Sequence, residues 1–176
     1  MKFRQPALLR QRRIHTPLGA VRLARTPRGL AGLWFDGQQH SPDAALWITD
    51  DGDTLLREAD QQLQDYLAGR RAHFELPLDL SHGTPFQQAV WQALLGIARG
   101  QTTRYGALAA QIGLPSASRA VGAAVGRNPL SVIVPCHRVI GADGSLTGYA
   151  GGLPRKQQLL SLEGAACAAL AEGSFA

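Results

Sequence analysis

The sequence predicts an α+β fold: a small N-terminal antiparallel sheet carrying one helix, followed by a mainly helical C-terminal half that contains a helix-turn-helix. Three observations predict it. Short apolar runs of strand length, broken by glycine and proline turns, fall within residues 14–37. Apolar residues at helical spacing recur from residue 54 onward. Two short helical segments flank Gly113-Leu114-Pro115, a spacing that suits a helix-turn-helix.

Taken in order, Ala20-Val21-Arg22-Leu23-Ala24 and Gly29 through Phe35 read as strands, with turns at Pro17-Leu18-Gly19 and Asp36-Gly37. Residues 54–67 place Leu55, Leu63, Tyr66 and Leu67 near helical spacing, and Gly69 stops that helix. Residues 76–83 are a connector, which puts a domain boundary near residue 83: a scaffold of residues 1–83 and a working domain of residues 84–176. Thr84 caps the next helix and Pro85 takes its first position, with Val90, Trp91, Leu94, Leu95 and Ile97 as the buried stripe and Gly100 as the stop. Residues 105–112 form a further helix, and Ser116 caps another that reaches about Gly126. An ordinary helical hairpin is the other reading of that pair.

The chain is long enough, at 176 residues, to bury a core without staples. The formal charge of +5 is uneven, with 11 basic against 10 acidic residues up to Gly83 but 7 against 3 after it. Such a C-terminal surface favours a polyanion. Only Cys136 and Cys167 are present, so a disulfide framework is excluded and a reducing compartment is expected. The basic N-terminus lacks an apolar run of signal-peptide length and no stretch reaches membrane-spanning length, so a cytoplasmic protein is expected.

The most informative stretch is Ser131-Val132-Ile133-Val134-Pro135-Cys136-His137-Arg138-Val139-Ile140, where a β-branched run reads as a buried strand ended by proline and followed by cysteine and histidine. A thiol attacks as thiolate, and His137 and Arg138 are candidates to lower its pKa from the free value of about 8.5. Neighbours in an extended chain point to opposite sides, so His137 is expected to reach Cys136 through a water. Glu163 is an acid available to orient the imidazole. A buried cysteine beside a histidine that satisfies a turn is the other reading of the same pair. Ligand spacing for zinc is missing, and neither metal nor cofactor is expected.

Pro135-Cys136-His137-Arg138-Val139 resembles the signature of the O6-alkylguanine-DNA alkyltransferases, also called methylated-DNA–protein-cysteine methyltransferases. The likeness runs from Gly83-Thr84-Pro85-Phe86-Gln87 through Tyr105-Gly106-Ala107-Leu108-Ala109, Ser118-Arg119-Ala120-Val121-Gly122 and Arg127-Asn128-Pro129-Leu130. It continues through Leu146-Thr147-Gly148-Tyr149-Ala150-Gly151-Gly152 to Lys156 and Leu162-Glu163-Gly164, and is weaker at Thr16-Pro17-Leu18-Gly19 and residues 29–35.

The resemblance implies DNA repair by transfer of a methyl or larger alkyl group from the O6 atom of guanine, and from O4 of thymine, to Cys136. It implies that His137 deprotonates the thiol through a water, that Glu163 holds His137, and that Lys156 belongs to the site. It further implies a helix-turn-helix bound in the minor groove of double-stranded DNA, with small residues Ala117, Ser118, Ala120 and Gly122 allowing close approach. The target base would be flipped out, with Arg119 filling the gap and Tyr105 pushing the adjoining phosphate and later giving a proton to the ring. Asn128, Val139, Tyr149, Ala150 and Gly151 would form the base pocket. Each molecule would act once, without cofactor, as a monomer when free.

Three other classes compete with this reading. An alkylation-damage-binding helix-turn-helix protein without chemistry would not need Cys136, and a regulator of that fold would need neither His137 nor Glu163. A Cys-His hydrolase would need an oxyanion hole and would turn over repeatedly. Cys167, in a small-residue tail, reads as a packing thiol.

Overall fold

The computed structural model describes residue 3 and residues 6–165 and divides the chain into two compact units. Cys167 lies outside the described residues. The first unit comprises Met1–Gly83 with Pro129–Ile133; the second comprises Thr84–Asn128 and Val134–Ala176. Residues 129–133 thus belong with the sheet, although the connector at residues 76–83 precedes them by half the chain's working segment.

In the first unit, strands β1 (Arg10–Thr16), β2 (Gly19–Thr26), β3 (Gly29–Phe35) and β4 (Ile48–Thr49) form one sheet in the order β3-β2-β1-β4. The hairpins β1/β2 and β2/β3 are antiparallel, as the turn residues require. The edge strand β4 runs parallel to β1, so the sheet is mixed rather than purely antiparallel. No alternation marked β4, because two residues are too few to show a period.

All seven residues of β3 are buried. Helix α1 (Thr54–Leu67) packs on the sheet through Leu56, Ala59, Leu63 and Tyr66. Asp53 caps it, accepting from Leu56 N at 3.1 Å, and also pairs with Arg25 at 2.5 Å. Burial raises the Asp53 pKa, yet the Arg25 contact and the cap hydrogen bonds outweigh it and hold the carboxyl below its ordinary value. A second apolar cluster gathers Leu9, Ala24, Trp34, Ala44 and Trp47, with the Trp34 and Trp47 rings 5.8 Å apart.

The run of β-branched residues after Leu130 is not a strand. Leu33 N donates to Pro129 O at 2.8 Å and Ser131 N to Leu33 O at 3.0 Å, a single bridge beside β3. Val132 then turns into the left-handed region at φ 72°, and Ile133 N folds back on Ser131 O at 2.9 Å. Prolines at 129 and 135 remove ladder donors at both ends, which leaves no length over which a strand could pair. The segment is buried all the same, and Ser131 donates from its hydroxyl to Gln38 Oε1 at 2.9 Å.

The second unit contains helices α2 (Pro85–Leu95), α3 (Tyr105–Gln111), α4 (Ser118–Gly126) and α5 (Leu153–Leu162) and a parallel pair of two-residue strands, β5 (Thr103–Arg104) and β6 (Val139–Ile140). Thr84 and Gln87 close a reciprocal capping box on α2, with Pro85 in its first turn. The helix ends at Gly96, four residues before Gly100. Gly100 serves instead a close approach, since a Cβ there would sit 3.1 Å from the Glu163 carbonyl and φ is 78°.

Ser116 does not cap α4. It lies inside a 3-10 turn, Pro115–Ala117, and α4 starts from Ala117 without a side-chain cap. Helix α5 is not among the elements the periodicity predicts; its buried face is Lys156, Leu159 and Leu160, too short and too mixed to show a stripe. The core of this unit is Trp91, Leu94, Leu108, Val121 and Leu159, all fully buried, and Trp91 Nε1 donates to Ala124 O at 2.9 Å, joining α2 to α4. Among the described residues no helix is long and apolar enough to cross a membrane.

One packing feature of the first unit is open to direct test. A Cβ built on Gly32 would lie 1.8 Å from the Trp34 ring, which folds back over that glycine. Gly32→Ala is therefore expected to expel the ring from the cluster, red-shift tryptophan emission and lower stability in urea by roughly 1–3 kcal/mol. Unchanged emission and midpoint would contradict this packing.

Candidate active site

Cys136 opens a buried 3-10 turn, Cys136–Arg138, at the point where Pro135 ends the irregular segment and just before β6. Its residue exposure is 4 %. Asn128, two residues past the last residue of α4, holds it in place: Nδ2 donates to Val134 O at 2.7 Å and to Cys136 Sγ at 2.9 Å. One amide thus fixes both the chain before the nucleophile and the sulfur itself. Donation to sulfur favours the thiolate over the thiol.

The expectation that His137 and Arg138 lower the thiol pKa does not hold for the resting protein. Burial pushes it up to about 11, against opposing contributions from the Asn128 amide and the Lys156 charge. At neutral pH the sulfur is a protonated thiol and needs a base.

The neighbouring imidazole is that of His137. Its Nε2 lies 2.6 Å from Glu163 Oε1, and both side chains are shut off from solvent. Nδ1 is buried and has no hydrogen-bond partner among the described residues, so no direct bond joins the imidazole to the sulfur. Burial drives the His137 pKa below its ordinary value although the Glu163 hydrogen bond and charge raise it, and Arg138 and Lys156 add to the lowering. The imidazole is therefore neutral at pH 7, with the lone pair needed to take a proton.

Arg138 points away from the thiol. Nε donates to Glu163 Oε2 at 2.8 Å, Nη2 to Glu163 Oε1 at 3.1 Å, and Nη1 to the Ile97 carbonyl. Lys156, fully buried on α5, donates from Nζ to the carbonyls of Val139 and Thr147, each at 2.6 Å. It thereby ties β6 to the loop that carries Tyr149, Ala150 and Gly151.

Of those pocket candidates, Tyr149 is brought against the thiol turn. The Tyr149 ring meets His137 edge to face at 6.5 Å between centroids. Gly152 N donates to Tyr149 O at 2.9 Å, and Arg155 Nη1 to Gly151 O at 2.7 Å, so the loop is closed by its own turn. Val139 is fully buried and its carbonyl is already engaged by Lys156. Tyr149 and Ala150 are partly exposed.

The helix-turn-helix places Tyr105 at the start of α3 with its ring against Gly122 of α4, where an added Cβ would lie 3.7 Å from it. The Tyr105 hydroxyl donates to Thr147 O at 3.4 Å, and burial raises its pKa, so it keeps its proton at neutral pH. Arg119 and Ala120 are exposed on α4, and Ala117 and Ser118 are partly exposed at its start. Arg119 makes no hydrogen bond or ion pair with any described residue. Sequence reasoning missed what Arg138 and Lys156 hold, because their acceptors are backbone carbonyls and a carboxylate distant in the chain. No group of three or more metal-ligating side chains assembles among the described residues.

A buried cysteine held by an asparagine amide, next to an imidazole paired with a carboxylate and in the same unit as a helix-turn-helix, is the arrangement of a DNA-binding protein with a cysteine in its site. The chain belongs to the methylated-DNA–protein-cysteine methyltransferase family, whose members repair DNA. Residues 85–165 match the family model described as 6-O-methylguanine DNA methyltransferase, DNA binding domain, and residues 9–80 the ribonuclease-like domain of the same protein. A relative of that family name from Mycobacterium tuberculosis is 48% identical over 156 residues, covering 89% of this chain and 93% of its own. Another from Methanosarcina acetivorans is 47% identical over 150 residues, covering 85% and 94%. The crystal structure of Mycobacterium tuberculosis OGT in complex with DNA superposes with a TM-score of 0.81 at 47% identity, covering 89% of this chain and 92% of that one.

The buried thiol has a thermodynamic signature. Because its folded pKa, about 11, lies above the ordinary 9.0, its stabilising contribution is fully present below pH 9 and is lost as pH rises toward 11. Compared with Cys136→Ala, the native chain is expected to lose roughly 2–3 kcal/mol more stability over that interval in denaturant titrations. Parallel pH profiles for the two would show that the thiol is not shielded.

Proposed function

We propose that the chain removes an alkyl group from the O6 atom of guanine in double-stranded DNA, and from O4 of thymine, by a single irreversible transfer to Cys136. The observation that carries this reading is the sulfur held by Asn128 beside a neutral imidazole anchored on Glu163. A hydrolase would need an oxyanion hole as well.

In this mechanism α4 enters the minor groove, where Ala117, Ser118, Ala120 and Gly122 let the backbone come close. The damaged nucleotide leaves the stack at a cost of a few kcal/mol, and the unpartnered Arg119 takes its place. Tyr105 meets the adjoining phosphate. The base enters a pocket made by Asn128, Val139, Tyr149, Ala150 and Gly151, next to Lys156. His137 Nδ1 accepts the thiol proton through a water, and Glu163 stabilises the imidazolium formed. The thiolate then attacks the alkyl carbon in line; the S–C bond forms as the C–O6 bond breaks. The electron pair returns to the guanine ring, which takes a proton from Tyr105, a donor whose raised pKa keeps it protonated. The thioether cannot revert, so one protein repairs one lesion, as a monomer in the cytoplasm and with no cofactor.

Incubation with a duplex containing O6-methylguanine is expected to add one methyl mass to the peptide bearing Cys136, and none to Cys136→Ser. More than one lesion repaired per protein would overturn the reading, and binding without mass gain would favour a damage-binding role instead.

The pH profile follows from the shifts above. With His137 depressed below 6.5, the single-turnover rate should be flat above neutrality and fall as pH drops through the acidic range. His137→Gln should react about 10²–10⁴-fold slower at pH 7 and gain about tenfold per pH unit toward the thiol's own ionisation. A flat profile in that variant would remove His137 from the mechanism.

A further inference from the structure

The family signature contains an arginine that the transfer mechanism above leaves idle. In the structure each of its three nitrogens donates a hydrogen bond. Arg138 reaches both oxygens of Glu163, at 2.8 and 3.1 Å, and its remaining nitrogen is spent on the Ile97 carbonyl. His137 uses one of the same carboxylate oxygens, at 2.6 Å. Side-chain exposure is 0% for His137 and Glu163 and 9% for Arg138, so water compensates none of these charges.

A buried imidazole and carboxylate left to themselves form a natural proton trap. The pair carries one negative charge, and taking up a proton neutralises it, an outcome that a dry site favours. A trapped proton would defeat the base, because an imidazole that already holds two N–H groups cannot accept one from Cys136.

We propose that Arg138 is a positioning residue for the transfer reaction: by clamping Glu163 it supplies the charge that neutralises the carboxylate, so the His137–Glu163 pair holds no proton at rest and Nδ1 stays open to receive the thiol proton. This rests on the alkyl transfer proposed above. The groups facing His137 are Glu163 at the end of α5, Arg138 on its own turn, Lys156 on α5, the thiol of Cys136 and the ring of Tyr149. Only Glu163 is an anion. Lys156 places two of its three donors on the carbonyls of Val139 and Thr147, whereas Arg138 places two nitrogens on the carboxylate itself. The depression of the His137 pKa agrees, since the Arg138 charge is among its causes.

The full-length chain is mixed in excess with a duplex bearing one O6-methylguanine, and the first-order transfer rate at saturating DNA is followed across pH. In Arg138→Gln the acidic fall of the rate is expected to shift upward by about one pH unit or more. The variant should then be about tenfold slower than the native chain on the acidic side and approach its own plateau by about pH 9. Arg138→Lys, which keeps the charge, should restore most of the midpoint. If Arg138→Gln does not fold, Arg138→Met combined with Glu163→Gln removes both charges, and its midpoint should lie at or below the native one. His137 imidazole shifts followed by NMR in the native chain should show protonation only below its ordinary value.

An Arg138→Gln profile lowered evenly at every pH, with an unmoved midpoint, would reduce Arg138 to a structural strut and overturn the inference, as would a native His137 that titrates above 6.5. Failure of the native chain to transfer at all would instead strike the alkyl-transfer reading itself.

Discussion

A carboxylate sealed from water must find its counter-charge inside the protein, and Glu163 does so while serving two donors at once. This constraint organises the second unit around the nucleophile. The same Arg138 that neutralises Glu163 is bonded to the Ile97 carbonyl just past α2, and Arg99 donates to the Leu162 carbonyl at the end of α5 at 3.0 Å. Gly100 passes so close to Glu163 that a side chain would press on its carbonyl. The end of α2, the end of α5 and the thiol turn are therefore located by one buried charge and its partners. Removing one member would leave an uncompensated charge, a far larger penalty than the loss of one hydrogen bond.

Around that centre the site is built to keep a reactive group quiet. Burial makes the thiol a poor nucleophile at rest, with a pKa of about 11, while Asn128 and Lys156 already favour the anion that must form. Proton transfer from sulfur to imidazole leaves the net charge of the site unchanged and sets an imidazolium against Glu163. A dry interior tolerates such an internal shift more readily than loss of a proton to solvent. In the proposed mechanism reactivity depends on preorganised partners rather than on a permanently ionised sulfur, and a stray electrophile in solution meets a buried, protonated thiol.

Much of the framework was legible from local chemistry. Thr84 and Pro85 spelled out the start of α2, the helical spacing of Leu63, Tyr66 and Leu67 marked α1, and turn residues set off β2 and β3. Where the reading failed, two local rules conflicted. β-branched residues 132–134 favour extended backbone, but flanking prolines and the left-handed Val132 deny them a partner strand. Ser116 has the chemistry of a cap, yet Pro115 starts a 3-10 turn that postpones the helix by one residue, so that Ala117 takes the cap position. Helix α5 buries a lysine, which makes its inward face look polar in a hydrophobicity pattern.

By itself the sequence determined the chemistry available: one cysteine beside a histidine and an arginine, an acid at 163, an asparagine at 128, and a helix-turn-helix with a small-residue helix. Composition and order suffice for that, because nucleophile, base and orienting acid are residue types. Only the tertiary structure decided how they are wired, since hydrogen bonds across eight to forty-one positions have no local signature. It turned Arg138 from the sulfur toward Glu163, gave the sulfur to Asn128, and raised the thiol pKa that sequence reasoning had expected to fall. Burial is the physical reason: charge and proton affinity depend on what surrounds a group in space, and neighbours along the chain specify little of it.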